Sequence, residues 1–232
     1  MVAFMTWIKI CGTTNLEDAL LAVDAGANAV GFVFYEKSSR NVSVEAVRDI
    51  VAQLPATMEK VGVFVDDPAE QIADKVREAG LTAAQLHLSE VHPRDVRDFA
   101  VIKERAGDAK VILSMSAHQL PIAPEEWNLF ITKEAQRMLY ALMFDSGTAS
   151  QPGGTGETFD WEEQRALVQG ASYMLPVIVA GGLTPANVAR AIKTFQPFGV
   201  DVASGVESKP GKKDPTKVQG FVRAVRNMEK PA

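Results

Sequence analysis

Eight short runs dominated by Val, Ile, Leu, Ala and Phe recur along this chain, each followed by a longer stretch that carries helix-start signals. This alternation restricts the possible folds more than any single motif does. The runs are Trp7–Cys11, Ala29–Phe34, Lys60–Val65, Ala83–His87, Lys110–Met115, Tyr140–Asp145, Pro176–Ala180 and Gly199–Ser204. Most are nearly continuous in apolar residues, the pattern of strands covered by helices on both faces. Between them, Asn15 precedes Leu16-Glu17-Asp18, Ser43 precedes Val44-Glu45, and Asp67-Pro68 is followed by Glu70. A short polar cap, a proline suited to a first turn and early carboxylates all favour a helix start. His92-Pro93, Thr184-Pro185 and Asp214-Pro215 repeat the arrangement, Asp160 with Glu163 opens another helix, and Gly26, Gly80 and Gly107 are stops. Between Ser116 and Arg137 the pattern is irregular, with Pro121 and Pro124 interrupting it.

Eight β/α units in 232 residues predict an α/β protein built as a single (β/α)8 TIM barrel over residues 1–232. An open doubly wound sheet would more often carry a glycine-rich dinucleotide turn after its first strand; the turn here is Cys11-Gly12-Thr13-Thr14. The chain is 47% hydrophobic, enough for a large core, and its net charge of −5 comes without a basic run that would attract nucleic acid. An anionic substrate must then be held by a local site. No stretch approaches the roughly 18 apolar residues of a membrane span, so no membrane partner is expected. A single cysteine, Cys11, excludes an intrachain disulfide and fits a reducing, cytoplasmic setting. Nothing in the pattern distinguishes a monomer from a homodimer.

A β/α barrel gathers its chemistry at the C-terminal ends of its strands. Those positions hold Cys11 after the first run, Arg40 beyond the second, His87 ending the fourth and Asp145 ending the sixth. Three glycine-bearing turns follow late in the chain: Gly153-Gly154-Thr155-Gly156, Gly181-Gly182 and Ser204-Gly205. Their backbone N–H groups suit a phosphate, which barrels often bind after strands seven and eight; equally, each is a turn needing unusual φ. Period two puts Trp7, Lys9 and Cys11 on one face, so Cys11 is either an inert buried thiol or one that Lys9 turns towards thiolate. Asp145 is either a loop cap or a carboxylic acid with a raised pKa. Arg40 offers a planar fork for a carboxylate or phosphate, or is solvated. His87 is a packing residue or a substrate hydrogen-bond donor.

Taken together and in order, these segments resemble the phosphoribosylanthranilate isomerase family. The resemblance is carried by Lys9-Ile10-Cys11-Gly12-Thr13-Thr14, Glu17-Asp18-Ala19, Gly31-Phe32-Val33-Phe34 with Ser38-Ser39-Arg40, and Gln85-Leu86-His87. It continues through Gly153-Gly154-Thr155-Gly156 with Phe159-Asp160-Trp161, Ala180-Gly181-Gly182-Leu183, and Asp201 to Glu207 followed by Pro210-Gly211-Lys212-Lys213-Asp214. It implies an Amadori rearrangement of N-(5′-phosphoribosyl)anthranilate to 1-(2-carboxyphenylamino)-1-deoxyribulose 5-phosphate in tryptophan biosynthesis, with no metal or organic cofactor. It implies Asp145 as the acid that opens the ribose ring and Cys11 as the base that removes the C2 proton. Arg40 matches the residue holding the anthranilate carboxylate, and Asp201 a polar contact to substrate. The phosphate site expected from the turns comprises Gly154, Thr155, Gly156, Gly181, Gly182, Ser204 and Gly205. The chain departs from the family's usual pattern at Leu88, where a glycine is common, and in Ile112-Leu113-Ser114-Met115-Ser116, which lacks a lysine common there. The related isomerase of histidine biosynthesis typically uses aspartates ending strands one and five, which this chain lacks. A sugar-phosphate epimerase or a non-catalytic phosphate-binding barrel are the other readings of the same turns.

Overall fold

Strands that are apolar on both faces must be covered on both, and this chain does so by closing its sheet. The computed structural model describes residues 5–88, 90, 96–116, 131–145 and 161–229. In chain order, β1 (Trp7–Ile10), α1 (Leu16–Ala25), β2 (Ala29–Val33), α2 (Val44–Val51), β3 (Glu59–Val65) and α3 (Ala69–Glu78) come first. They are followed by β4 (Ala83–His87), α4 (Val96–Ala106), β5 (Lys110–Ser116), α5 (Lys133–Met138), β6 (Ala141–Asp145) and α6 (Trp161–Ser172). The last units are β7 (Val177–Val179), α7 (Val188–Phe195), β8 (Gly199–Val202) and, after an antiparallel hairpin of β9 (Glu207–Lys209) and β10 (Lys212–Lys213), α8 (Pro215–Asn227). Each of the first eight strands pairs in parallel with the next, and β8 returns to β1 with Lys9 opposite Asp201. The barrel expected from the alternation is therefore present.

Side chains alternate along each strand, so the closed sheet has two cores. Outward residues such as Ile8, Ile10, Val30, Phe32, Phe64 and Leu86 pack under the helices. Each such buried side chain is worth about 1.5–3 kcal/mol, and this outer layer holds most of them. Inward residues Trp7, Ala29, Val61, Ala83, Ile112, Ala141 and Ile178 fill the barrel floor. Trp7 fits there because β8 offers Gly199 beside it, and Phe198 stacks on its ring at 6.3 Å between centroids.

Helix starts follow the capping signals with two exceptions. Asn15, Ser43 and Asp214 cap as expected, Asp214 accepting from the N–H groups of Thr216 and Lys217. Asp67 does not cap α3: Pro68 occupies that position, and Asp67 pairs with Lys75 at 2.9 Å. Thr184-Pro185 does not open α7, because Asn187 first ties the turn, accepting from Thr184 N–H at 2.7 Å and donating to the Gly182 carbonyl at 2.9 Å. The eighth strand stops at Val202, short of Ser204, because Ser204–Val206 wind into a 3-10 turn. His92, Pro93, Pro121, Pro124 and Asp160 lie outside the described residues. No helix among the described residues is long and apolar enough to cross a membrane.

Candidate functional site

Above the apolar floor the inward positions become polar. Lys9 of β1, Gln85 of β4 and Asp201 of β8 are all buried and meet across the barrel. The Lys9 ammonium donates to Asp201 Oδ1 at 2.7 Å and to Gln85 Oε1 at 2.8 Å. Burial alone would push the Lys9 pKa down, but Asp201 and Cys11 beside it outweigh that and hold it above the usual lysine value. Because Lys9 can only donate, it settles the Gln85 amide: Oε1 accepts, so Nε2 faces His87 and donates to its Nε2 at 2.8 Å. His87 therefore carries its proton on Nδ1. Burial and the nearby Lys9 charge lower its pKa to about 4, which keeps the ring neutral near pH 7.

One layer higher the strand ends open into a cleft of about 580 Å³. Cys11, Arg40, His87, Asp145 and Asp201 all line it, so five of the expected residues, drawn from five different β/α units, converge. A smaller recess of about 260 Å³ adjoins the cleft, shares Asp145 and Asp201 with it, and is walled by Gly181, Gly182 and Ser204. Gly154, Thr155 and Gly156 lie outside the described residues.

Cys11 continues the ladder of β1, its N–H donating to the Val202 carbonyl at 2.8 Å. Burial raises its thiol pKa; the Lys9 charge opposes that shift and the Asp201 charge adds to it, leaving the thiol above its ordinary range. The expectation that Lys9 would turn the thiol towards thiolate is not met: burial outweighs the Lys9 charge, and the Asp201 charge adds to the burial effect. Asp145 is buried at the end of β6, opposite Ser116 of β5.

Arg40 crosses the turn after β1, where Gly12 adopts φ +71° and a Cβ would lie 2.5 Å from Arg40 Cδ. Its Nε and Nη2 donate to the two carboxylate oxygens of Glu207 at 2.9 and 2.7 Å. Lys213 Nζ lies 3.0 Å from Glu207 Oε1 and also donates to the Cys11 carbonyl. Neither Glu207 nor Lys213 was singled out from its residue type. They sit 167 and 173 positions from Arg40 in sequence, and only the Pro210-Gly211 turn hints that a hairpin joins them. Gln85 and Lys9 were more accessible to sequence reasoning, since each is a polar residue two positions before a mouth residue on an otherwise apolar strand.

Gly205 tests how tightly the recess is built. A Cβ there would fall 1.8 Å from the Leu183 carbonyl oxygen, so the turns after β7 and β8 touch backbone to backbone. Gly205→Ala must push them apart at a cost of at least about 2 kcal/mol. Thermal denaturation should show the melting temperature falling by roughly 5 °C or more; an unchanged melting point would mean the turns do not pack this way. Among the described residues, no group of His, Cys, Asp and Glu has the geometry to hold a metal ion.

Comparison with known proteins bears on the same region. A family model described as N-(5′-phosphoribosyl)anthranilate (PRA) isomerase matches residues 8–224. N-(5′-phosphoribosyl)anthranilate isomerase of Pelobacter propionicus is 38% identical over 224 residues, covering 96% of each chain. The crystal structure of phosphoribosyl anthranilate isomerase from Thermotoga maritima matches with a TM-score of 0.78 at 35% identity, covering 96% of this chain and 100% of that one. A complex of this kind of isomerase with reduced 1-(o-carboxyphenylamino)-1-deoxyribulose 5-phosphate matches with a TM-score of 0.75 at 34% identity, covering 96% and 100%.

Proposed function

The chain belongs to the N-(5′-phosphoribosyl)anthranilate isomerase family, and from that membership we propose how its cleft performs the rearrangement. The enzyme converts N-(5′-phosphoribosyl)anthranilate to 1-(2-carboxyphenylamino)-1-deoxyribulose 5-phosphate in tryptophan biosynthesis. The observation that carries the residue assignment is the convergence of Cys11, Asp145 and Arg40 on one cleft.

Asp145 donates a proton to the ribose ring oxygen. The C1–O bond breaks as the nitrogen lone pair forms a C1–N double bond, giving an open-chain Schiff base. Cys11, as thiolate, then takes the C2 proton, and the electrons of that C–H bond flow into C1–C2 to neutralise the nitrogen. The Cys11 thiol returns its proton at C1 while the C2 hydroxyl gives its proton to the Asp145 carboxylate and becomes a carbonyl, which completes the aldose–ketose exchange and restores both groups. Burial raises the thiol pKa and the Lys9 charge opposes that shift, so the Lys9 ammonium is the group that favours the thiolate in which Cys11 acts. Asp201 is held by Lys9 through Oδ1, leaving Oδ2 for a substrate hydroxyl. His87, neutral and with its proton on Nδ1, acts as a second polar contact.

We place the phosphate in the recess walled by Gly181, Gly182 and Ser204, with Gly205, Gly154, Thr155 and Gly156 as its further contacts. Turns after strands seven and eight are the usual phosphate position in such barrels. With the phosphate at one end and Arg40 at the other, C1 and C2 span the distance between Asp145 and Cys11. A working thiol base suits a reducing compartment, so we assign the enzyme to the cytoplasm, acting as a monomer or homodimer.

The assignment is tested by supplying freshly generated phosphoribosylanthranilate and following the loss of its fluorescence. A folded protein without activity would overturn it. Arg40→Ala should raise KM about ten- to a hundredfold with kcat nearly unchanged, as expected for one lost charge-assisted bond to a carboxylate. Steady-state kinetics would reject the clamp if kcat fell and KM did not move.

A further inference from the structure

Arginine in a loop is flexible, and fixing it costs rotamer entropy. Arg40 is nevertheless held in one orientation. One edge of its guanidinium, Nε and Nη2, is bound by both oxygens of Glu207, while its stem lies against Gly12. Arg40 lines the cleft and Glu207 stands behind it, nearly buried at 6% exposure. A carboxylate in that position would by itself neutralise the arginine and cancel its attraction for an anion. Lys213 counters this: its side chain, 1% exposed, contacts Glu207 Oε1 at 3.0 Å, and although burial pushes its pKa down, the Glu207 charge and hydrogen bond oppose that shift, so two cations share one carboxylate. The β9–β10 hairpin makes the arrangement possible, since Lys213 and Glu207 are cross-strand partners in it and Gly211 turns the chain at φ +78°.

We infer that Glu207 is a positioning residue, aiming the free Nη1 edge of Arg40 at the ring carboxylate of the substrate while Lys213 keeps the cluster cationic. This rests on the assignment of Arg40 to that carboxylate. A guanidinium already ordered by Glu207 binds an anion without a further ordering cost, and its planar fork selects a carboxylate at one fixed place on the aromatic ring. Glu207 thus sets specificity for the anthranilate end of the substrate without touching it.

The test measures binding by titration calorimetry, using two ligands: reduced 1-(2-carboxyphenylamino)-1-deoxyribulose 5-phosphate and the same compound without its ring carboxylate. Glu207→Gln combined with Lys213→Met replaces the two-point ionic bond with a neutral amide that has one acceptor oxygen, while leaving the net charge of the cluster unchanged. Glu207→Asp keeps every charge and shortens the reach, so it carries the test if the double variant does not fold. The double variant should bind the carboxylate-bearing ligand about tenfold more weakly, the worth of one charge-assisted bond, and Glu207→Asp should lie between it and the parent. Both should bind the carboxylate-free ligand within about twofold of the parent, since the bond lost is the one that ligand never makes. Adding Arg40→Ala to either variant should remove only the discrimination that remains, ending at the level of Arg40→Ala alone. Equal weakening of both ligands would overturn the inference by making Glu207 merely structural. Unchanged binding in these variants while Arg40→Ala alone loses discrimination would overturn it and leave the Arg40 assignment standing. If Arg40→Ala still prefers the carboxylate-bearing ligand as strongly as the parent does, the clamp and the inference fall together.

Discussion

Replacing Asp145 with asparagine should lower kcat by about a hundred- to ten-thousandfold, the range spanned by loss of one positioned general acid. The substitution keeps shape and volume at a buried position, so the melting temperature should barely move. Asparagine cannot supply the ring oxygen with a proton, and opening of the ribose ring then limits the whole reaction. That has a signature beyond the lower rate. With substrate deuterated at C2, the isotope effect on kcat should vanish in Asp145→Asn, because breaking the C2–H bond no longer limits turnover. A full isotope effect in that variant would assign Asp145 to the wrong step.

Cys11→Ala should reduce kcat by a similar factor, about a hundred- to ten-thousandfold, but with the opposite isotope signature. Ring opening still proceeds, proton removal from C2 becomes slow, and the isotope effect should be fully expressed. The pH profile separates the two residues again. A base works only when deprotonated, so the parent activity should rise with pH through the thiol pKa and fall away below it. Burial and Asp201 place that rise above the ordinary thiol range, with Lys9 opposing them. In Cys11→Ala this limb should disappear from kcat/KM. Near-parental turnover in Cys11→Ala would remove the thiol from the mechanism altogether.

The two variants also show where sequence and structure contributed differently. Cys11 and Asp145 were legible because each ends an apolar strand run, and period-two alternation put each on a definite face. Arg40 was legible as a residue but not as an arrangement. Its chemistry as a fork for carboxylates follows from residue type, whereas the fact that Glu207 already occupies one edge of that fork does not. The cysteine illustrates the same limit, since adjacency to Lys9 in the strand suggested a depressed pKa. Burial and Asp201, 190 positions from Cys11, reverse that direction. The helix starts at Asp67 and Thr184 went astray for a related reason: Lys75 and Asn187 offered those turns better partners than the generic cap.

Eight β/α units, the closed barrel they imply and the residues standing at its mouth are all readable from the linear chain. These depend on hydrophobic periodicity and local capping, both of which act over a few residues. Which charges neutralise which was settled in the folded barrel: Lys9 with Asp201, Arg40 with Glu207, and Glu207 with Lys213. Such pairings depend on distances of a few ångströms between strands far apart in the chain. Coulomb energies, desolvation and hydrogen-bond geometry change steeply over that range, and no linear pattern of residues encodes it.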